Sequence, residues 1–327
     1  MIRAAWCCAD SGVFMKVRSR QGWSSLVLVG AFFWAFLPDA AAQVVVTIDG
    51  DTAYATISLT DTNGITYDAD VTIAFDTPQN LSVQSLNLTA ELVDPDDVQG
   101  RLPPDICGLL PPHPCITVDP AFPMMITVEP PAFPWLFTSG FDGDETGAGD
   151  LAFLNTYEFE IHTHDLAYTP MSPYRVFKAP LGGQFDDITD DVLSGSVRAR
   201  GRHGAFSQFM VVKDTRCDLT VSLGKIVLLN LRILSAALDD VLRGDLLGLL
   251  AQVDALLVTG LLGPAIDTLD LLIADIDAHA GTDIANVWRA ERDVVNDAGE
   301  MQSLAHSLRF SMVRAQGAPL CLGLSNN

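Results

Sequence analysis

From Gln43 to about Arg216 the chain alternates apolar and polar residues with a period of two. In "ITYDADVTIAF", Ile65, Tyr67, Ala69, Val71, Ile73 and Phe75 alternate with Thr66, Asp68, Asp70 and Thr72, which predicts a strand with one dry face. It follows "YATISLT" across Asn63-Gly64, a pair suited to a tight hairpin turn. "LSVQSLNLTAELV" keeps the alternation but slips by one at Ser85, which predicts a bulge. "MMITVE", "TYEFEIHTH", "YRVFKA", "GSVRARG" and "AFSQFMVVKD" are further strands, parted by Pro and Gly clusters at intervals typical of an antiparallel sandwich.

From Leu219 the period changes to 3.6. In "IANVWRAERDVVNDAGEMQSLAHSLRFSM" the positions Ile284, Val287, Trp288, Glu291, Val294, Val295, Ala298, Met301, Ala305, Leu308 and Met312 form one stripe, apolar except for Glu291. Three earlier runs, "LGKIVLLNLRILSAALDDVLRG", "GDLLGLLAQVDALLVTG" and "GPAIDTLDLLIADIDAHAG", are also helical; Gly260 and Gly281 stop helices and Pro264 suits a first turn. The predicted fold class is therefore α+β with two segregated domains, an antiparallel Ig-like β-sandwich over 43–216 and a small three- or four-helix bundle over 217–327. A length of 327 residues, 49% hydrophobic and 18% charged, suffices for two such cores.

The N-terminus changes the picture of where the protein works. Lys16, Arg18 and Arg20 precede the uncharged run "LVLVGAFFWAFL" and then "PDAAAQ", the order of a secretory signal cut after Ala42, with Met15 a second candidate start. Twelve apolar residues fall short of the roughly 20 a membrane span needs. The signal is thus 1–42 and the mature chain is expected to be secreted or periplasmic, without membrane insertion. Removing Asp10, Asp39, Arg3, Lys16, Arg18 and Arg20 leaves 39 acidic against 15 basic residues, a net charge of −24. That charge repels nucleic-acid phosphates and leaves a protein or glycan as the expected partner.

Cys107, Cys115, Cys217 and Cys321 remain, an even number in an exported chain, with three pairings open. The expected pairing is Cys107 with Cys115, which brackets one Pro-rich loop, and Cys217 with Cys321, which brackets the helical segment and would clasp the bundle at its base; the latter removes roughly 4 to 5 kcal/mol of unfolded-chain entropy. No Cys-x-x-Cys spacing supports a metal instead.

The densest chemistry is "YEFEIHTHDL" at 157–166. On a strand Glu158, Glu160, His162 and His164 share one face, a candidate ligand face on which a His-x-His pair is geometrically fit for zinc. Arg198, Arg200 and Arg202 in "GSVRARGR" repeat at the same period, so cross-strand pairing on a solvated face is the favoured reading. In "GFDGDETGAGD", Asp142, Asp144, Thr146, Gly147 and Asp150 match positions of a calcium loop, but Phe153 stands where the bidentate glutamate belongs, so the only cofactor expected is weakly bound calcium. Gly-x-Ser-x-Gly, phosphate-loop and His-Glu-x-x-His motifs are missing; pairs such as Asp186-Asp187 and Asp190-Asp191 follow from the acidic composition. Trp288 reads as core. The expectation is a non-enzymatic binding or cell-envelope structural or adhesion module, with no catalytic residue named. Its alternatives are a secreted hydrolase acting on polysaccharide through loop carboxylates and a calcium-stabilised adhesion module.

Two segments carry a resemblance. "YRVFKAPLGGQFDDITDDVLSGSVRARGRHGAFSQFMVVKD" resembles the closing strands of exported bacterial β-sandwich modules, and "DIANVWRAERDVVNDAGEMQSLAHSLRFSM" the last helix of an uncharacterised family of bacterial secreted proteins with a β-sandwich followed by a C-terminal helical bundle. The resemblance implies architecture and export, and carries over no catalytic residue.

Overall fold

The computed structural model describes residues 43–107, 112–132 and 150–317, all within one compact unit spanning 40–327. The architecture is α+β, with antiparallel sheets and six helices among the described residues.

Strands β1 (Gln43–Asp49), β2 (Thr52–Thr60) and β3 (Thr66–Gln79) form a meander. Its β2–β3 turn is the one predicted at Asn63-Gly64: Gly64 takes φ +83°, and the Asp61 carboxylate accepts from the Asn63 and Ile65 amides, each at 2.8 Å. Next come α1 (Val83–Leu86), β4 (Leu88–Leu92), α2 (Pro95–Gln99), the short β5 (Ile106–Cys107), β6 (His113–Pro114) and β7 (Ile116–Thr117), and β8 (Met124–Val128). The slip at Ser85 is not a bulge but one helical turn, because Ser82 and Ser85 cap each other reciprocally and Asn87 ends the turn left-handed.

After β8 come β9 (Ala152–Ala167), β10 (Tyr174–Ala179), β11 (Asp186–Asp187), β12 (Thr189–Leu193), β13 (Ser196–His203) and β14 (Gln208–Asp214). One sheet runs β1-β2-β3-β9-β13-β12 and the other β11-β10-β14-β8-β4. Their inner faces share an apolar core in which Phe159 of the first stacks on Phe209 of the second, ring centroids 3.9 Å apart. The chain crosses between sheets in three residues, from Asp187 of β11 to Thr189 of β12.

The remaining elements are α3 (Asp218–Ser235), α4 (Asp240–Val258), α5 (Leu262–His279), β15 (Val287–Arg289) and α6 (Asp297–Gly317). The change of period near Cys217 coincides with the N-cap of α3. The long stripe from Ile284 is split, however. Its first part is a strand that pairs with β9 (Trp288 opposite Phe153), and the helix begins only at Asp297, where the Asn296 side chain accepts from the Gly299 amide at 2.9 Å. Trp288 is core as expected, stacked on Phe153 with centroids 5.1 Å apart. β15 continues the lane of β13: β3 occupies one edge of β9, so both pair with the other.

α6 joins the two kinds of structure. Ala298, Met301, Ala305, Leu308 and Met312 enter the core of α3–α6. Ser303, Ser307 and Ser311, four apart, are buried on another face, where Ser303 donates to Arg202 O and Ser307 to Asp187 O. Among the described residues no helix is long and apolar enough to cross a membrane.

Candidate functional site

β9 aligns the predicted ligand face against β13, with Arg202 opposite Glu158, Arg200 opposite Glu160 and Arg198 opposite His162. Arg200 takes both carboxylates, Nε at 3.1 Å from Glu158 and Nη2 at 2.7 Å from Glu160, while Arg202 turns to Asp190 on β12 at 2.5 Å. His162 Nε2 lies 2.5 Å from Ser196 Oγ, its ring 4.6 Å from that of His164, and burial together with Arg198 and His164 lowers its pKa. Among the described residues no group of three or more His, Cys, Asp or Glu side chains is arranged to hold a metal ion.

Of the calcium-loop residues, Asp142, Asp144 and Thr146 lie outside the described residues. Asp150 is described: its carbonyl accepts from Asn80 Nδ2 at 3.2 Å, and a hydrogen bond with its carboxylate raises the pKa of the exposed Glu291. Cys107 and Cys115 form a disulfide with Cα atoms 4.9 Å apart. Cys321 lies outside the described residues; Cys217 is the N-cap of α3.

The structure gathers a different set of charged groups at the crossover between the sheets. Asp187 Oδ1 accepts from the Thr189 amide and hydroxyl at 2.9 and 2.6 Å, and its Oδ2 faces Lys225 Nζ at 2.6 Å. Lys225, buried on α3, also reaches Ser307 O at 3.0 Å, Ser307 Oγ at 2.6 Å and Ser311 Oγ at 3.0 Å. Burial pushes the Asp187 carboxyl up, but Lys225, Arg175 and these hydrogen bonds outweigh it and hold the group ionised, below its ordinary range. Three elements thus meet on one saturated ammonium. A parallel contact fixes the N-terminal end of α3, where Asp218 lies 3.5 Å from Arg175 and 3.1 Å from Arg314.

Beside this corner lies a hollow of about 550 Å³ between the sheets' end, α3 and α6, lined by Lys178, Asp186, His203, Leu231, Arg232 and Glu300 among others. A second, of about 270 Å³, shares Lys178, Pro180 and Glu300 and adds Ser207, Trp288, Arg292 and Asn296. Lys178 stands where the two meet. It is 8% exposed, and among the described residues its Nζ has no hydrogen bond. Burial lowers its pKa to about 8, against an opposing pull from Glu300 and Asp186. Its neighbours are already engaged: Arg232 Nε faces Glu300 Oε2 at 2.9 Å and its Nη2 donates to Asp297, and Arg292 pairs with Glu129. His203 Nδ1 accepts from the Ala205 amide at 2.9 Å, which puts the ring proton on Nε2; burial and the nearby Lys178 hold the ring neutral, its pKa well below the ordinary value.

Of these residues the sequence offers Asp186 and Asp187 only as products of an acidic composition and Trp288 only as core, and it singles out neither Lys178 nor Lys225. Lys178 carried one usable signal: with Tyr174 and Val176 it falls, by alternation, on the inward side of β10. At family level, residues 30–316 match the model of a family of unknown function, DUF6689. No curated protein matches the chain, and no solved structure does.

Proposed function

From the premise that the chain belongs to the DUF6689 family, we propose that it is an exported, non-enzymatic binding protein whose ligand site is the two-lobed cleft at Lys178. One observation carries the reading: beside Arg232, Arg292 and Glu300, whose charges are paired, a buried amine opens onto empty volume without a hydrogen bond among the described residues. A charge held this way costs stability and is retained where a ligand supplies what the fold withholds. The combined volume suits a small molecule or the end of a glycan. On the outer face of β9, Arg200 takes up both Glu158 and Glu160, which supports a binding role over catalysis by that pair. Export is supported by the basic, apolar and small order of 1–42 and by the Cys107–Cys115 bridge, which suits an oxidising compartment. An Ig-like sandwich with an appended bundle is the layout we propose within the α+β class, supported by the facing rings of Phe159 and Phe209.

The test is a protein-observed NMR screen of small organic compounds and oligosaccharides. Shifts should concentrate at Lys178, His203 and Trp288; shifts confined to the outer face of β9 and the strand loops would move the site elsewhere. One observation favours the hydrolase alternative: burial raises the Asp190 carboxyl to about 7 despite Arg202, and its Oδ1 has no partner among the described residues. Turnover in a glycosidase panel that disappears in Asp190→Asn would replace the binding reading.

A further inference from the structure

We infer that Lys178 is a carbonyl-capture site: its amine condenses with the aldehyde or ketone group of a small uncharged ligand in the cleft and holds it as an imine. The inference rests on the reading of the cleft as the ligand site and adds the chemistry of that ligand.

The chain has four lysines, Lys16, Lys178, Lys213 and Lys225. Lys213 is exposed. Lys225 is buried, which lowers its pKa against the pull of Asp187, and it too borders a hollow, but its ammonium is taken up by the Asp187 carboxylate and three further oxygens. Lys178 is equally deep, has no hydrogen bond at Nζ among the described residues, and faces two hollows. A lysine desolvated beside open volume is the arrangement that keeps an amine nucleophilic. Its pKa, lowered to about 8, leaves a substantial free-base fraction near neutrality, consistent with the geometry.

The charges of the cleft select the ligand. Arg232 is occupied by Asp297 and Glu300, and Arg292 by Glu129. Glu300 lines both hollows and Asp186 stands exposed at the rim of the larger. An anion entering would meet two carboxylates and no uncommitted guanidinium, so the lone ammonium is a poor anion receptor. An uncharged carbonyl compound suffers no such repulsion, and the apolar walls at Leu231 and Trp288 favour its carbon skeleton.

The step balances without an oxidant or reductant. The Nζ lone pair adds to the carbonyl carbon, the carbonyl π pair moves to oxygen, and the proton that the nitrogen sheds goes to that oxygen to give the carbinolamine. Its hydroxyl takes up a second proton and leaves as water while the nitrogen lone pair forms the C=N bond, and the nitrogen then gives a proton back, so one water leaves for each imine made. Glu300 lines the same hollow and relays these protons, and His203, neutral with its proton on Nε2, offers a hydrogen bond to the carbonyl oxygen.

The experiment treats the full chain at pH 7 with propanal and cyanoborohydride, which makes any imine permanent, and maps the adducts by peptide mass spectrometry. Lys178 should be alkylated at least about tenfold faster than Lys213, because at pH 7 an amine titrating near 8 is about one-tenth free base and an ordinary lysine far less. The rate at Lys178 should rise toward a plateau through pH 8, and Lys178→Arg should abolish that adduct while leaving Lys213 labelled. Equal or slower labelling of Lys178 overturns the inference. NMR with 1-propanol, which has no carbonyl, separates the two readings: cleft shifts with propanol but no Lys178 adduct sink only the imine, whereas neither shifts nor adduct sink the cleft as a binding site as well.

Discussion

Replacing Lys178 by Met should make the protein more stable at neutral pH. The ordinary pKa of 10.5 falls to about 8 in the fold, and at 1.36 kcal/mol per unit that gap corresponds to about 3 kcal/mol charged against keeping the ammonium buried. The folded-state value of this base is depressed, so between the two pKa values the unfolded chain binds the proton that the folded chain has lost, and stability rises with pH. Below pH 8 the full penalty applies; above 10.5 both states are neutral and it is gone. Met fills a similar volume without charge. Since Glu300 and Asp186 lose a favourable neighbour, the expected gain at pH 7 is about 1–3 kcal/mol. Urea unfolding of the wild type and Lys178→Met from pH 6 to 10.5 reads the effect: the advantage of the Met variant should be largest below pH 8 and vanish toward pH 10.5. A pH-independent difference, or a Met variant less stable than wild type at pH 7, refutes the assignment of Lys178 as a desolvated, unsatisfied ammonium.

The neighbouring lysine should behave in the opposite way. Lys225→Met strands the Asp187 carboxylate in the interior and should cost about 3–5 kcal/mol in urea unfolding, most of it recovered in Lys225→Met/Asp187→Leu; a single variant as stable as the double would deny the pair its role at the crossover. Gly299→Ala should destabilise by about 1–3 kcal/mol or more, because its Cβ would stand 2.2 Å from Asn155 O and 2.8 Å from Gly204 Cα, whereas Gly248→Ala, with open space around it on α4, should be neutral or mildly stabilising. A melting temperature unchanged in Gly299→Ala would show that α6 does not press on β9. Arg314, three residues before the end of α6, lies 3.1 Å from Asp218 of α3, and the four residues from Gly317 to Cys321 span at most about 14 Å. Non-reducing peptide mapping is therefore expected to join Cys321 to Cys217, and any other pairing of either cysteine removes the proposed clasp.

Much of the strand half was legible because each strand carries its own address. Alternation put Tyr157, Phe159 and Ile161 on one face, and the matching period of Glu158, Glu160, Arg198, Arg200 and Arg202 anticipated the pairing of Arg200 with both glutamates across β9 and β13, while Arg202 turns to Asp190 instead. What alternation could not supply was the hydrogen-bond competition at strand ends. At Ser85 the side chain closes a reciprocal cap with Ser82, which outcompetes a bulge. At 284–296 an apolar stripe fits a helix as well as it fits a short strand followed by a turn. The deciding factor is remote: beyond Tyr157 the edge of β9 that β13 leaves open has amides and carbonyls to pair, and Val287, Trp288 and Arg289 supply them. The cleft was invisible for the same reason. Lys178 announces itself only as a cation on an inward position, and whether such a group is paired, as Lys225 is, or left open depends on α3 and α6, which no local pattern connects to β10.

The asparagine contact between Asn155 and Asn286 joins residues 131 apart in sequence, immediately before β15 completes the edge of β9. A polypeptide emerging N-terminus first therefore cannot finish this sheet when its first fourteen strands are out; it must wait for three helices to pass. During that interval Phe153 lacks its indole cover and a row of main-chain groups stays unsatisfied. The molecule is thus assembled by late closure, and a nascent chain stopped ahead of residue 287 would present an adhesive, unfinished edge to its surroundings.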